Sequence, residues 1–392
     1  MPVAREAFPA LRARPELCYL DSAATSLLPQ VALDAMTEAL AAGGSAGRSG
    51  HGLGSAATEA LAGARRRLAD TMGVPAEELV ITGSATDGLM LAAQGAVGPR
   101  LGPADRLVVG LDAHHGNLLP WRALAERTGA ELVQVGLTTS GELDRAALRE
   151  ALTPSVRAVA LTHVSNVTGA VLPVARVAEQ VRAVAPEAWV VVDGTQAVPQ
   201  LDVRPADLDV DLYLWSAHKA YGPLGCGFAW APAHRWRQVE PVRWGGGMVS
   251  EVGVDGVSLR EVPSRFEAGT LNHPAVVSAA VGAAFLQEHR DPRHGRQLAR
   301  RAAEALGAID GVSVLGAPFD RVGLVSFTVR GVHPHDVAQR CEERGILLRA
   351  GQHCAEPALA AMGVSAVVRA SFGLATTVDD VERLVDTVRE IP

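Results

Sequence analysis

As far as about residue 250, short and uniformly apolar runs alternate with longer stretches whose apolar residues recur at helical spacing. Leu79–Thr82, Leu107–Leu111, Glu131–Val135, Ala158–Val164, Trp189–Asp193, Leu212–Trp215 and Gly227–Ala231 read as strands. Most of these are apolar on both sides of the pleat. That is the pattern of strands covered on both faces, and it predicts a mostly parallel sheet between layers of helix, an α/β fold. Amphipathic stretches such as Leu119–Thr128 and Val174–Ala185 supply the helices. In a sheet of this kind ligands bind beyond the carboxyl ends of the strands.

Past about residue 275 the pattern changes. A long helical segment runs through Ala275–His289 and on through Arg296–Leu306, followed by a strand-like Gly323–Arg330 and a helix near Pro334–Gly345. Strand Ile346–Arg349, a loop around Cys354, strand Val367–Phe372 and a terminal helix Thr377–Ile391 complete the chain. The expected organisation is an N-terminal segment, 1–18, that packs with a small domain; a large α/β domain over 19–274; and a small C-terminal α+β domain over 275–392 that carries the Cys354 loop. The Ala/Gly-rich stretch Ala41–Ala57 is expected to be a mobile loop at the active site.

Composition narrows the function classes. Of 392 residues, 48% are hydrophobic and 20% charged, enough apolar material for a core and no sign of disorder. A net charge of −7 argues against a nucleic-acid partner. The start, MPVAREAFPALRARPEL, lacks an apolar signal core, and Ala275–Leu286 is too short to cross a bilayer. Cysteines at 18, 226, 341 and 354 show no paired C-x-x-C spacing, and the His114–His115 pair lacks a third ligand nearby, so no metal site is expected. A soluble, cytoplasmic protein without membrane contact is the expectation.

One count changes the picture. The 36 basic residues are 35 Arg and a single Lys, Lys219. Arginine keeps its proton under all ordinary conditions, whereas a buried lysine can lose it and act as a nucleophilic amine. Lys219 stands in SAHKAYGPLG, directly after the apolar run LYLW, where partial desolvation lowers an amine's pKa and frees it for Schiff-base chemistry. The buried-looking run WVVVDGTQA ends on Asp193, an acid that is costly there without a cationic partner. A protonated pyridine nitrogen is such a partner, as in enzymes that hold pyridoxal 5'-phosphate (PLP) on a lysine. Gln196, three residues on, is placed to donate to a ring oxygen. GSATDG, between LVIT and an apolar helical run, offers backbone N–H groups and Thr86 to a phosphate, although the same residues serve as an ordinary helix cap. His114, in DAHHGN, offers a flat ring to stack on a cofactor. Cys354 lies in the Gly-polar loop RAGQHCAEP, with His353 and Arg349 as cationic neighbours that would favour its thiolate.

YLDSAATS (19–26), THVSNVTG (162–169), VVDGTQAV (191–198), SAHKAYGPLG (216–225), RFEAGTLN (265–272), LRAGQHCAEP (348–357) and VRASF (368–372) together resemble the class V, fold-type I PLP enzymes. Among them the chain is similar to the SUF-type (group II) cysteine desulfurases and selenocysteine lyases, with motifs spread from Tyr19 to Phe372. The resemblance implies a fold-type I transferase with a seven-stranded large-domain sheet, a homodimer, and a place in sulfur metabolism such as iron–sulfur cluster assembly. It implies that Lys219 carries PLP and then moves the Cα proton, that Asp193 pairs with the ring nitrogen and Gln196 with the phenolic oxygen, and that His114 stacks on the ring. Ala85, Thr86, Ser216 and His218 would bind the phosphate, helped by Thr270 from a partner subunit. Asn166 and Arg369 would position an amino acid, L-cysteine, with Arg349 assisting. Cys354 would accept the sulfur and pass it to an acceptor protein. The alternative under the same resemblance is a PLP-dependent C–S lyase, epimerase or aminotransferase acting on another amino acid in specialised metabolism. The chain departs from the family at three places: Gln352 replaces the first of two histidines before the cysteine, Ala113 an acid before the His pair, and Ala375-Thr376-Thr377 a Tyr-Asn-Thr stretch.

Overall fold

The structure is a computed structural model that describes residues 3–47, 50–317 and 321–391. Strands β1 (Leu79–Thr82), β2 (Arg106–Gly110), β3 (Glu131–Val135), β4 (Val156–Thr162), β5 (Trp189–Asp193), β6 (Leu212–Ser216) and β7 (Gly227–Trp230) form a seven-stranded sheet in the order β1-β7-β6-β5-β4-β2-β3. β7 runs antiparallel to both its neighbours, and the remaining pairings are parallel. The pleat explains the unbroken apolar runs. Val190 and Val192 of β5 share one core with Tyr213 and Trp215 of β6, while Trp189, Val191, Leu212 and Leu214 face a second core. Helices α1 (Gln30–Ala42), α2 (Gly52–Met72), α5 (Val174–Val184) and α6 (His273–His289) lie on the first side, with α6 packed on α1 and α2. Helices α3 (Ala85–Leu91) and α4 (His115–Thr128) cover the second, around the fully buried Trp121 and Trp236.

A four-stranded antiparallel sheet, β8 (Val312–Val314), β9 (Leu324–Val329), β10 (Arg349–Gly351) and β11 (Val367–Ser371), has the order β8-β9-β11-β10. Helices α7 (Pro292–Gly307), α8 (Pro334–Glu342) and α10 (Val378–Arg389) enclose a third core with it, around Phe327, Phe372 and Leu384. Helix α9 (Glu356–Ala361) lies between β10 and β11 in the chain. The N-terminal segment ties the two sheets together. Phe8 and Leu11 enter the first core, while Cys18–Tyr19 pairs in parallel with Ile346–Leu347.

Three sequence expectations need correction. The long C-terminal helical segment is two helices, α6 and α7. Arg290 leaves the helical conformation, the Asp291 side chain accepts from the Arg293 N–H, and Pro292 occupies the first turn, where its missing donor costs nothing. The run Ile346–Arg349 is not one strand, because Ile346–Leu347 pairs with Cys18–Tyr19 whereas Arg349–Gly351 pairs with β11. The stretch Ala41–Ala57 is largely helical at its ends: α1 reaches Ala42, and α2 starts at Gly52, capped by the His51 ring. Gly43, Gly44 and Gly47 do take positive φ, but Gly54 is buried inside α2, where packing along a long helix outweighs glycine's poor propensity. Residues 48 and 49 of that stretch lie outside the described residues. Among the described residues no helix is long and apolar enough to cross a membrane.

Candidate active site

A cavity of about 610 Å³ opens beyond the carboxyl ends of β1, β2, β4, β5 and β6, and β10 and the Cys354 loop close its other side. Ala85, Thr86, His114, Asn166, Asp193, Gln196, Ser216, His218, Lys219, Arg349, Cys354 and Arg369 all line it. Thr270 does not. It is exposed and does not line the cavity, and the role the resemblance implies for it belongs to a second subunit.

Lys219 is placed by the end of β6. The strand stops at Ser216 and a single tight turn, Ala217–Lys219, follows. The His218 carbonyl accepts from both the N–H and the hydroxyl of Ser26, at 2.8 and 2.9 Å, and the Ser26 oxygen accepts from the Tyr221 N–H at 2.7 Å. Burial lowers the Lys219 amine to about 8, against the opposing pull of Asp193. At that value a useful fraction of the amine is neutral near physiological pH.

Asp193 ends β5 and accepts from the Thr195 N–H at 3.0 Å. The next residue has to be glycine, since a Cβ on Gly194 would lie 2.0 Å from the Tyr213 ring. The Tyr213 hydroxyl in turn meets His163 Nδ1 at 2.8 Å. Gln196 donates from Nε2 to the Ala23 carbonyl at 2.7 Å, which uses one of its two amide hydrogens. His114 caps α4, its Nδ1 accepting from the Gly116 N–H at 3.0 Å, and burial with the nearby Lys219 lowers it to about 4. Its ring is therefore neutral.

At the other end of the cavity Ser84 caps α3, and the Ala85 N–H donates to Ser216 Oγ at 2.8 Å. A Cβ on Gly227 would fall 2.4 Å from the Ser84 backbone, so glycine lets β7 approach the start of this helix. Burial, followed by Lys219, lowers His218 to about 4.

Arg369 is buried in β11. It donates to the Asn166 carbonyl at 3.0 Å and to Asp21 at 3.3 Å, and Asp21 also pairs with Arg349 at 3.3 Å. Several buried polar atoms of cavity-lining residues have no hydrogen-bond partner among the described residues: Thr162 Oγ1, Thr195 Oγ1, Asn166 Oδ1 and Arg369 Nε. Buried polar groups normally find partners, so this cluster fits a cavity built for a polar ligand.

The Cys354 loop is short and pinned. His353 and Cys354 both take left-handed φ, 55° and 53°, a conformation that costs non-glycine residues on the order of 1 kcal/mol each. Asn166 Nδ2 donates to the His353 carbonyl at 2.9 Å and the His115 N–H to the Cys354 carbonyl at 2.8 Å. The His115 ring lies 2.7 Å from the Glu356 carboxylate at the start of α9. Cys354 is exposed, whereas Cys18, Cys226 and Cys341 are buried. Burial raises all three of those thiols, Cys226 to about 12 and Cys341 to about 11. The expected help from His353 needs correction: burial, with Arg369, lowers it to about 3, so its ring is neutral and brings no positive charge to the loop.

Asp21, Thr162, Thr195 and Glu356 were not singled out from the sequence, and His115 was considered only as half of a His pair. These four fall inside quoted motifs, but Asp21 and Glu356 act through partners far away in the chain, Arg349, Arg369 and His115, and so leave no local signal. The donor set suits a phosphorylated pyridine aldehyde: a depressed amine, an acid at a strand end, a neutral ring, and hydroxyl and amide groups at the opposite end.

A family model described as aminotransferase class-V matches residues 18–384. A probable cysteine desulfurase of Vibrio cholerae serotype O1 is 36% identical over 379 residues, covering 95% of this chain and 93% of that protein. Probable cysteine desulfurase 2 of Mycobacterium leprae is 38% identical over 389 residues, covering 96% and 91%. Among solved structures, the cysteine desulfurase CsdA from Escherichia coli aligns with a TM-score of 0.89 at 34% identity, covering 98% of this chain and 96% of that one. The cysteine desulfurase from Thermococcus onnurineus NA1 aligns at 0.94 with 32% identity, covering 99% and 97%. With a match that runs from the first paired strand into the last helix, this chain belongs to the class-V aminotransferase family.

Proposed function

We propose that the protein is a PLP-dependent cysteine desulfurase that converts L-cysteine to L-alanine and takes the sulfur onto Cys354 as a persulfide. The observation that carries this reading is that a depressed amine, Lys219, and an exposed thiol, Cys354, face one cavity together with the buried Arg369. The names of the aligned relatives support it.

Lys219 would hold the cofactor and Asp193 its ring nitrogen; Gln196 would meet the phenolic oxygen and His114 the ring. Ala85, Thr86, Ser216 and His218 would hold the phosphate, joined by Thr270 from the second subunit of a homodimer. When bound, PLP supplies an electron sink that renders the substrate Cα proton acidic. Lys219 would take that proton at Nζ. Arg369 grips the α-carboxylate with its planar donors, and Asn166 and Arg349 fix the substrate's orientation. The Cys354 thiolate attacks the substrate sulfur: a new S–S bond forms, the Cβ–S bond breaks, and its electron pair stays with the carbon that becomes the alanine methyl group after protonation. The Cys354 persulfide then passes its outer sulfur to an acceptor thiol, and the exposure of Cys354 leaves it within reach of a sulfur-acceptor protein.

Incubating the holoprotein with L-cysteine under reductant tests the reading. Equal amounts of alanine and sulfide are expected. Sulfide accompanied by pyruvate and ammonia would instead assign β-elimination, the C–S lyase alternative.

A further inference from the structure

The register of the small sheet sets Arg349 of β10 directly opposite Arg369 of β11. Like charges at an opposed pair repel, and Arg369 is only 2% exposed, so water does little to screen the repulsion. Asp21 meets both guanidiniums. Its Oδ1 lies 3.3 Å from Arg369 Nη2 and its Oδ2 lies 3.3 Å from Arg349 Nε. Its backbone is fixed as well. Asp21 forms a parallel bridge with Ser371, and the Ser371 N–H donates to the Leu20 carbonyl at 2.7 Å. The Ala23 N–H donates to Ser371 Oγ at 2.9 Å on the following turn.

Both arginines line the cavity and Asp21 does not, so its carboxylate stands behind the guanidiniums. Arg369 spends Nη1 on the Asn166 carbonyl and Nη2 on Asp21, and its buried Nε has no partner among the described residues. Two cations and one anion leave a single net positive charge, which matches one carboxylate.

We propose that Asp21 is a positioning residue, a resident counter-ion that holds Arg349 and Arg369 side by side as a clamp for the α-carboxylate of an amino acid. This deepens the desulfurase reading and rests on its assignment of the cavity to an α-amino acid. Without the anion, Arg349, whose side chain is 51% exposed, is free to swing into water, and the clamp loosens. Simple charge balance works in the opposite direction, since removing an anion near the cavity would tighten the hold on any carboxylate. The sign of the change therefore separates the two.

The test titrates holoenzyme with L-alanine and with L-alaninamide and follows the cofactor's absorbance, for the wild type, Asp21→Asn and Asp21→Glu. Asp21→Asn is expected to weaken L-alanine roughly tenfold and to leave L-alaninamide within about twofold, so the preference for acid over amide falls roughly tenfold. Asp21→Glu keeps the charge at a longer reach and is expected to lose only about two- to threefold of that preference; it also supplies the comparison if Asp21→Asn fails to fold. An unchanged or increased preference in the variants would overturn the inference, because a merely structural defect would weaken both ligands alike. Release of alanine and sulfide from L-cysteine by the wild type is scored separately. Its absence would count against the desulfurase reading, while the acid-to-amide preference still decides the clamp.

Discussion

Lys219 and Cys354 face the same cavity from opposite sides, and the chain holds them in opposite ways. Lys219 follows a buried strand by one turn, its backbone is locked through Ser26, and burial pushes its amine down. Cys354 is exposed on a short loop in left-handed backbone, held through its carbonyl by His115 and through the preceding carbonyl by Asn166. An amine must lose water to become a nucleophile at neutral pH, so it belongs at the end of a strand in a packed sheet. A thiol that passes sulfur onward has to stay reachable, so it belongs on a loop fixed at a few points. The three cysteines that were buried instead have raised thiols and no route to an acceptor.

The comparison breaks most severely at the lysine. Lys219→Ala is expected to abolish borohydride-trapped cofactor, read by mass spectrometry of the intact protein, and to lower turnover by about 10³ or more. A cofactor adduct trapped elsewhere in the chain would remove the basis of the whole reading. At the other pole, Cys354→Ala should lower alanine formation from L-cysteine by on the order of 10² while the cofactor's absorbance stays intact. Undiminished turnover in that variant would favour a reaction that needs no thiol.

The lysine's depressed value gives a pH test. The neutral amine is the form that condenses with an aldehyde, and it dominates above the pKa. With a value of about 8, uptake of cofactor by the cofactor-free protein is expected to rise with pH up to about 8 and then level off. About a quarter of such an amine is neutral at pH 7.5, against on the order of 0.1% for an ordinary lysine. A rate that keeps climbing past pH 10 would show a solvated amine. The smallest effect belongs to the loop anchor. The His115–Glu356 pair is partly exposed on both sides, so it contributes at most about 1 kcal/mol. Glu356→Gln should therefore change alkylation of Cys354 by iodoacetamide no more than about fivefold and leave the cofactor spectrum unchanged. A larger change would mean that the loop depends on that pair rather than on its backbone hydrogen bonds.

Much of this architecture is local information. Apolar runs long enough for one strand each set the large sheet, and the strands Leu79–Thr82, Glu131–Val135 and Trp189–Asp193 have the same ends in the structure as in the sequence pattern. The single lysine after LYLW and the cysteine in a Gly-polar loop were visible because residue type and immediate neighbours carry their chemistry. What the chain does across distance was not visible. Whether Ile346–Arg349 is one strand or two depends on which partner each half meets, and those partners lie near residues 18 and 368. The bridging of Arg349 and Arg369 by Asp21 joins residues more than 300 positions apart, a matter of sheet register that no local pattern encodes. The neutrality of His353 was likewise decided by tertiary burial, which outweighs the ordinary basicity of its ring. Periodicity and composition are properties of neighbours along the chain, whereas pairing, desolvation and counter-ions are properties of neighbours in space.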